Sequence, residues 1–176
     1  MQAPPEDRLT TVRLATSMLH GVVALLILMR HPAGGAPRVT HLLAALPSLL
    51  LSGVFMRLAP PPHAWPVGAQ VAFAGAIALV VAAFAALGRS FAVLPAARRL
   101  VTRGPYGWVR HPAYLGELLA LSACAWTFPR PWLPLILAAP PFLALRVVVE
   151  ERLLARGEGW SDYRARVRWR LLPGIW

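Results

Sequence analysis

Apolar and polar positions divide this chain into long charge-free stretches separated by short segments rich in Arg and Pro. The first apolar stretch runs from Leu14 to Met29 between Arg13 and Arg30. It is expected to be a retained helix, because Glu6 and Asp7 spoil the basic leader of a cleaved signal peptide. The second, Val39 to Met56, carries no Arg, Lys, Asp or Glu, and Pro47 is expected to kink it rather than end it. A Pro-rich connector (Pro60, Pro61, Pro62, Pro66) leads to Val67–Leu87, which is free of charge and long enough to cross about 30 Å of hydrocarbon. Leu115–Phe128 is short for a span, and the tight connector Pro129-Arg130-Pro131 joins it to Trp132–Val149. Those two read as a helical hairpin. The pattern predicts an all-α, polytopic membrane bundle of about five transmembrane helices in a single domain, 1–176, with a basic C-terminal tail.

Charge orients this bundle. Arg89, Arg98, Arg99, Arg103 and Arg110 occur with no acid among them, so the positive-inside rule assigns residues 88–111 to the cytoplasm. The tail, with Arg152, Arg156, Arg164, Arg166, Arg168 and Arg170, falls on the same side, and the near-neutral N-terminus falls outside. Hydrophobic residues make up 57% of the chain and charged ones 14%, well to the apolar side of a soluble domain. The net charge is +11 and all 18 basic residues are Arg. A nucleic-acid-binding domain would not combine that charge with long apolar runs, so the expected counter-surface is anionic membrane lipid. The compactness of the chain points to a prokaryotic source, hence a bacterial inner (cytoplasmic) membrane. Cys124 is the only cysteine, which excludes an intramolecular disulfide, and it reads as a small core residue.

The chemistry-bearing half is about 88–176, centred on Gly104 to Glu117. Gly104-Pro105-Tyr106-Gly107 has the composition of a type I turn. His111 precedes Pro112 and is pushed toward extended backbone, while Pro112 suits the first position of a helix. A helix starting there is expected to leave the amides of Ala113, Tyr114 and Leu115 facing backwards as an anion site. Gly116 would let a ligand or a neighbouring helix approach the backbone. The competing reading is a membrane-interface connector, with Arg110 snorkelling and Trp108 and Tyr114 in the aromatic belt.

A second cluster is Arg146-Val-Val-Val-Glu150-Glu151-Arg152. Arg146 and Glu150 share a helix face, whereas Glu151 points about 100° away. An exposed pair of this kind contributes only about 0.3–0.5 kcal/mol. Ionisable groups at the hydrocarbon boundary are costly and usually line a polar pocket, so Arg146, Glu150 and Glu117 are expected to form one beneath the Pro112 helix start. His20, His31, His41, His63 and His111 lack metal-ligand spacing, and no metal is expected. Gly157-Glu158-Gly159 follows a helix and is not a dinucleotide fingerprint.

Leu100-Val101-Thr102-Arg103-Gly104-Pro105-Tyr106, Arg110-His111-Pro112-Ala113-Tyr114-Leu115-Gly116, Arg146, Glu150-Glu151 and the tail from Tyr163 to Pro173 together resemble the isoprenylcysteine carboxyl methyltransferase family, with the related phospholipid methyltransferases close by. The likeness covers the C-terminal half, from Ser90 to Pro173. It implies a membrane enzyme that takes S-adenosyl-L-methionine from the cytoplasm and a lipophilic or prenylated acceptor from the bilayer. It further implies that Arg98, Arg99, Leu100, Val101, Tyr106, His111, Pro112, Ala113, Tyr114 and Glu150 bind the cofactor and that Arg146 binds the substrate. Arg146 and Glu150 are then the candidate catalytic residues. Arg98 stands where the eukaryotic members have a histidine, so its expected role there rests on backbone.

Methyl transfer from a sulfonium is an in-line displacement, so such a site must chiefly align donor and acceptor and exclude water. A carboxylate acceptor such as a prenylcysteine, held by Arg146, needs no base. A phospholipid or small-amine acceptor must first lose a proton, which would call on Glu117, Glu150 or His111. A noncatalytic membrane scaffold or small transporter is the remaining alternative, in which the polar cluster is only a folding network.

Overall fold

The sequence stretches rich in small and apolar residues become helices in the computed structural model, which describes residues 11–29, 65–90, 100–127 and 129–176. The helices are α1 (Thr11–Met29), α2 (Val67–Leu87), α3 (Pro112–Thr127), α4 (Pro129–Leu154) and the short α5 (Trp160–Arg166), with single 3₁₀ turns at Gly88–Ser90 and Gly104–Gly107. No strand occurs among the described residues. The apolar stretch Val39–Met56 and the arginines Arg98 and Arg99 lie outside them.

Among the described residues, α2 is the helix long and apolar enough to cross a membrane. Pro66 occupies its N-cap with extended backbone (φ −57°, ψ 145°), and its carbonyl accepts the Gln70 amide at 3.0 Å. Gly88 ends the helix at φ 49°, a backbone that glycine adopts without a Cβ penalty, and its amide returns to the Phe84 carbonyl. Ala69, Phe73, Ala76, Ile77 and Val80 are buried at helical spacing, so one face of α2 is core while Val67 and Val71 stay exposed.

That buried face meets α3, and α2 also packs against α1. The α2–α3 approach is set by Gly116: a Cβ there would lie 2.5 Å from Val80 Cγ2 and 2.9 Å from the Ala76 carbonyl oxygen. Of the two uses open to this glycine, close passage of a neighbouring helix is the one realised. Pro112 heads α3 as expected, since its missing amide lies where no intrahelical partner exists.

The hairpin partner α4 starts at Pro129 rather than Trp132 and runs on to Leu154. Pro129 and Pro131 occupy its first turn, where a missing amide removes no hydrogen bond, so the expected connector is absorbed into the helix. Trp65, Phe73, Tyr114, Cys124, Val147 and Leu171 belong to one buried cluster, which places the tail in the core. A smaller cluster joins Trp160, Tyr163 and Val167 to Leu100 and Leu154. The basic segment after α4 is therefore folded back onto the bundle.

Candidate active site

The site is built where the segment before α3, the end of α4 and the tail converge. The amides of residues 110 and 111 donate to the tail: Arg110 N–H to the Trp169 carbonyl and His111 N–H to the Arg170 carbonyl, both at 2.9 Å. The His111 carbonyl accepts the Leu115 amide at 3.1 Å. This corrects the expected anion site at the helix start. Leu115 is not one of its free donors, because His111 occupies the N-cap and its carbonyl closes the first helical bond.

His111 and Tyr114 stack face to face, with ring centroids 5.5 Å apart and planes inclined by 6°. The adjacent glutamates of α4 then hold the two rings from different sides. Tyr114 Oη donates to Glu150 Oε2 at 2.7 Å, and His111 Nε2 lies 3.3 Å from Glu151 Oε1. His111 Nδ1 is 3.8 Å from Glu150 Oε2. Arg146, one turn before Glu150, places its guanidinium carbon 4.7 Å from the Tyr114 ring centroid. The shared face of Arg146 and Glu150 is thus realised, and both address the same tyrosine.

Glu151 is the residue that sequence reasoning passed over. It is buried, at 8% exposure, and accepts from Arg170 Nε at 3.1 Å while Arg110 Nε lies 3.0 Å from its other oxygen. Its carboxyl lies beyond Val149, where the expected span ends. Burial alone would push it up, but the hydrogen bond from His111 and the charge of Arg110, followed by the charge of His111 and the bond from Arg170, hold it below the usual carboxylate range. Its neighbour Glu150 keeps a side chain 33% exposed. The only signal for Glu151 in the sequence was adjacency to Glu150, since the Arg110 and Arg170 partners come from distant segments.

Tyr106 joins the group from the 3₁₀ turn. Burial first, then the negative charge of Glu150, pushes its phenol up, so it remains a hydroxyl. The turn itself is fixed by Tyr163 Oη donating to the Tyr106 carbonyl at 2.9 Å. Glu117 is within electrostatic reach of both Arg146 and Glu150. Pro112 and Ala113 are buried and form wall, while Leu100 packs on the Trp160–Tyr163 cluster and Val101 is half-buried. Of the expected site residues, the structure brings together His111, Tyr114, Arg146 and Glu150, with Tyr106 within electrostatic reach of Glu150; Arg98 and Arg99 lie outside the described residues.

No group of His, Cys, Asp and Glu suited to a metal ion occurs among the described residues. The donor set suits an organic cofactor that carries cations and hydroxyls. Glu150 presents a partly exposed carboxylate to accept hydrogen bonds, and Tyr106 keeps a protonated hydroxyl within its electrostatic reach.

The family model described as Phospholipid methyltransferase matches residues 66–157. Residues of this chain are 34% identical over 84 positions to the Lamin-B receptor of Drosophila melanogaster, covering 44% of this chain and 11% of that protein. They are 37% identical over 87 positions to a Delta(14)-sterol reductase of Mus musculus, covering 45% of this chain and 20% of that protein. The chain thus spans a fifth or less of each of these relatives. No solved structure matches it.

Proposed function

The chain belongs to the phospholipid methyltransferase family, and from that premise we propose that it is an S-adenosyl-L-methionine-dependent methyltransferase acting on a lipophilic acceptor at the membrane. The favoured acceptor is a carboxylate, as in the isoprenylcysteine carboxyl methyltransferases. The observation that supports this reading is Tyr114, at one end of the α3–α4 hairpin, whose hydroxyl donates to Glu150 while Arg146 lies over its ring, with Tyr106 within electrostatic reach of Glu150. We also read the chain as a five-span bundle in a bacterial inner membrane, with this end facing the cytoplasm.

S-adenosyl-L-methionine, when bound, supplies an electrophilic methyl group on sulfur. Glu150 accepts hydrogen bonds from its amino or hydroxyl groups, with the carboxylate already oriented by Tyr114 Oη. Tyr106 and the His111–Tyr114 stack form the wall beside it, with Leu100, Val101, Arg98 and Arg99 assigned to the same cofactor by resemblance. Arg146, whose guanidinium lies over the Tyr114 ring, is assigned the acceptor carboxylate, to be held by charge and by the planar fork. An ionised carboxylate attacks without losing a proton, so alignment and exclusion of water are the tasks of these residues.

A second reading, a phospholipid or small-amine acceptor, is favoured by the description of the matching family. It requires a base, and Glu150 is the partly exposed carboxylate in position to serve, since Glu151 is engaged on both oxygens. Transfer of labelled methyl to a prenylated thiol acid, with none to phosphatidylethanolamine, supports the carboxylate reading, and the reverse supports the amine. Two relatives are named as a receptor and a sterol reductase. Absence of S-adenosyl-L-methionine binding by calorimetry in detergent, or hydride transfer to a sterol in its place, would overturn both methyltransferase readings.

A further inference from the structure

The tail is tied to the candidate site by more bonds than its sequence suggests. Its backbone accepts the amides of Arg110 and His111, its Leu171 enters the core, and its Arg170 reaches Glu151. Glu151 in turn is the buried partner of His111, whose ring is stacked on Tyr114, and Tyr114 donates to Glu150. A continuous set of contacts therefore runs from Arg170 through Glu151, His111 and Tyr114 to Glu150. Because Glu150 and Glu151 are consecutive on one helix, their side chains diverge by about 100°, and His111 faces both, with Nε2 3.3 Å from Glu151 and Nδ1 3.8 Å from Glu150. A shift of His111 cannot leave Tyr114 and its hydrogen bond to Glu150 unchanged.

The charges explain why Arg170 matters to this arrangement. Glu151 is buried and faces Arg110, Arg170 and His111, so its carboxylate is held by bonds to both oxygens. Removing Arg170 leaves one oxygen of a buried carboxylate without its charged donor, and the side chain must turn toward Arg110 or water. His111 Nε2 then loses a fixed acceptor, and Glu150, 3.8 Å from Nδ1, becomes the competing one. Glu150 is thereby drawn away from the group it is proposed to bind.

We propose that Arg170 and Glu151 are positioning residues for methyl transfer, through which the tail sets His111 and Tyr114 and so orients Glu150 toward the cofactor. The inference rests on the cofactor role given to Glu150 above. It assigns the tail a part in donor binding and none in acceptor binding.

The test uses the full chain in detergent, comparing wild type with Arg170→Ala, Arg170→Lys, Glu151→Gln and, as control, Arg168→Ala, an exposed neighbour. S-adenosyl-L-methionine affinity is measured by calorimetry, His111 by ¹⁵N NMR of the imidazole, and folding by thermal melting. Arg170→Ala and Glu151→Gln should weaken cofactor affinity about tenfold or more, with Arg170→Lys in between at about two- to fivefold, the acceptor KM unchanged and Arg168→Ala at wild-type affinity. The His111 resonances should move in the same order. Unchanged cofactor affinity in variants whose melting temperature falls would show a merely structural clasp and overturn the proposal. If Arg170→Ala does not fold, Arg170→Lys decides by the same two readouts. A wild-type chain that binds no S-adenosyl-L-methionine defeats the functional reading instead. The relay is then judged by His111 alone: resonances that move in Arg170→Lys uphold it, and unmoved ones overturn it.

Discussion

Tyr114 Oη donates to Glu150 Oε2 across 2.7 Å, joining the first turn of α3 to the last turns of α4 at the point where the polar cluster opens to solvent. The tyrosine is buried and the glutamate only partly so. Tyr114→Phe keeps the ring on His111 and under Arg146 but leaves Glu150 to water, so the loss of stability should be near the net worth of one hydrogen bond to a charged group, about 1.5–3 kcal/mol at most. Cofactor affinity should fall with it, because Glu150 is no longer oriented. Calorimetry and thermal melting of the same variant check both, and an affinity equal to wild type would detach Tyr114 from the site.

The helix crossing at Gly116 gives a prediction about the fold alone. An added methyl meets Val80 and the backbone of Ala76, and the backbone cannot give way as a flexible side chain would. Gly116→Ala should cost about 1–3 kcal/mol, typical of overpacking, seen as a lower melting temperature in detergent. An unchanged melting temperature would mean that α2 and α3 do not approach as described.

Acidification should unlock the tail. Glu151 has its carboxyl held below the ordinary range by His111, Arg110 and Arg170 against the opposing effect of burial. A carboxyl depressed in the folded state contributes stability above its unfolded pKa, and that stability is lost as pH falls through the folded value. Wild type should therefore lose stability on acidification below the usual carboxylate range. Glu151→Gln should be less stable at neutral pH and show a shallower acid limb in a melting-temperature profile. Parallel profiles for the two proteins would rule out Glu151 as the titrating group.

Arg146 and Glu150 share a helix face but should have separable roles. Arg146→Lys keeps the charge and loses the planar fork, so turnover or acceptor affinity should fall by about tenfold or more while cofactor affinity changes little. An exposed ion pair would tolerate lysine at well under about 1 kcal/mol. A fully active Arg146→Lys enzyme would count against the carboxylate acceptor and favour the amine.

Periodicity and punctuation made much of this arrangement legible. Pro112 marked the start of α3, the charge-free run marked α2, and four-residue spacing put Arg146 and Glu150 on one face. These are local signals, each decided within a helical turn or two. What was hidden depends on segments distant in sequence. Glu151 was read as pointing away because the helix angle is blind to what lies on the other side, and there Arg110 and Arg170 supply the charge that makes its burial tolerable. The arginines of the tail are legible in the composition, whereas the burial of its Trp160, Tyr163, Val167 and Leu171 depends on segments they meet only in the fold. The Leu115 amide is satisfied by the carbonyl of His111, a residue that precedes the helix and carries no capping side chain to mark it in the sequence.

We propose Glu150, bonded by Tyr114 and within electrostatic reach of Tyr106, as the cofactor-binding carboxylate of a methyltransferase. Its most direct test is calorimetric titration of the detergent-solubilised chain with S-adenosyl-L-methionine, for wild type, Glu150→Ala and Tyr106→Ala, with folding checked by thermal melting. Wild type should bind, and each folded variant should lose affinity by about tenfold or more. Wild-type affinity in both variants would contradict it.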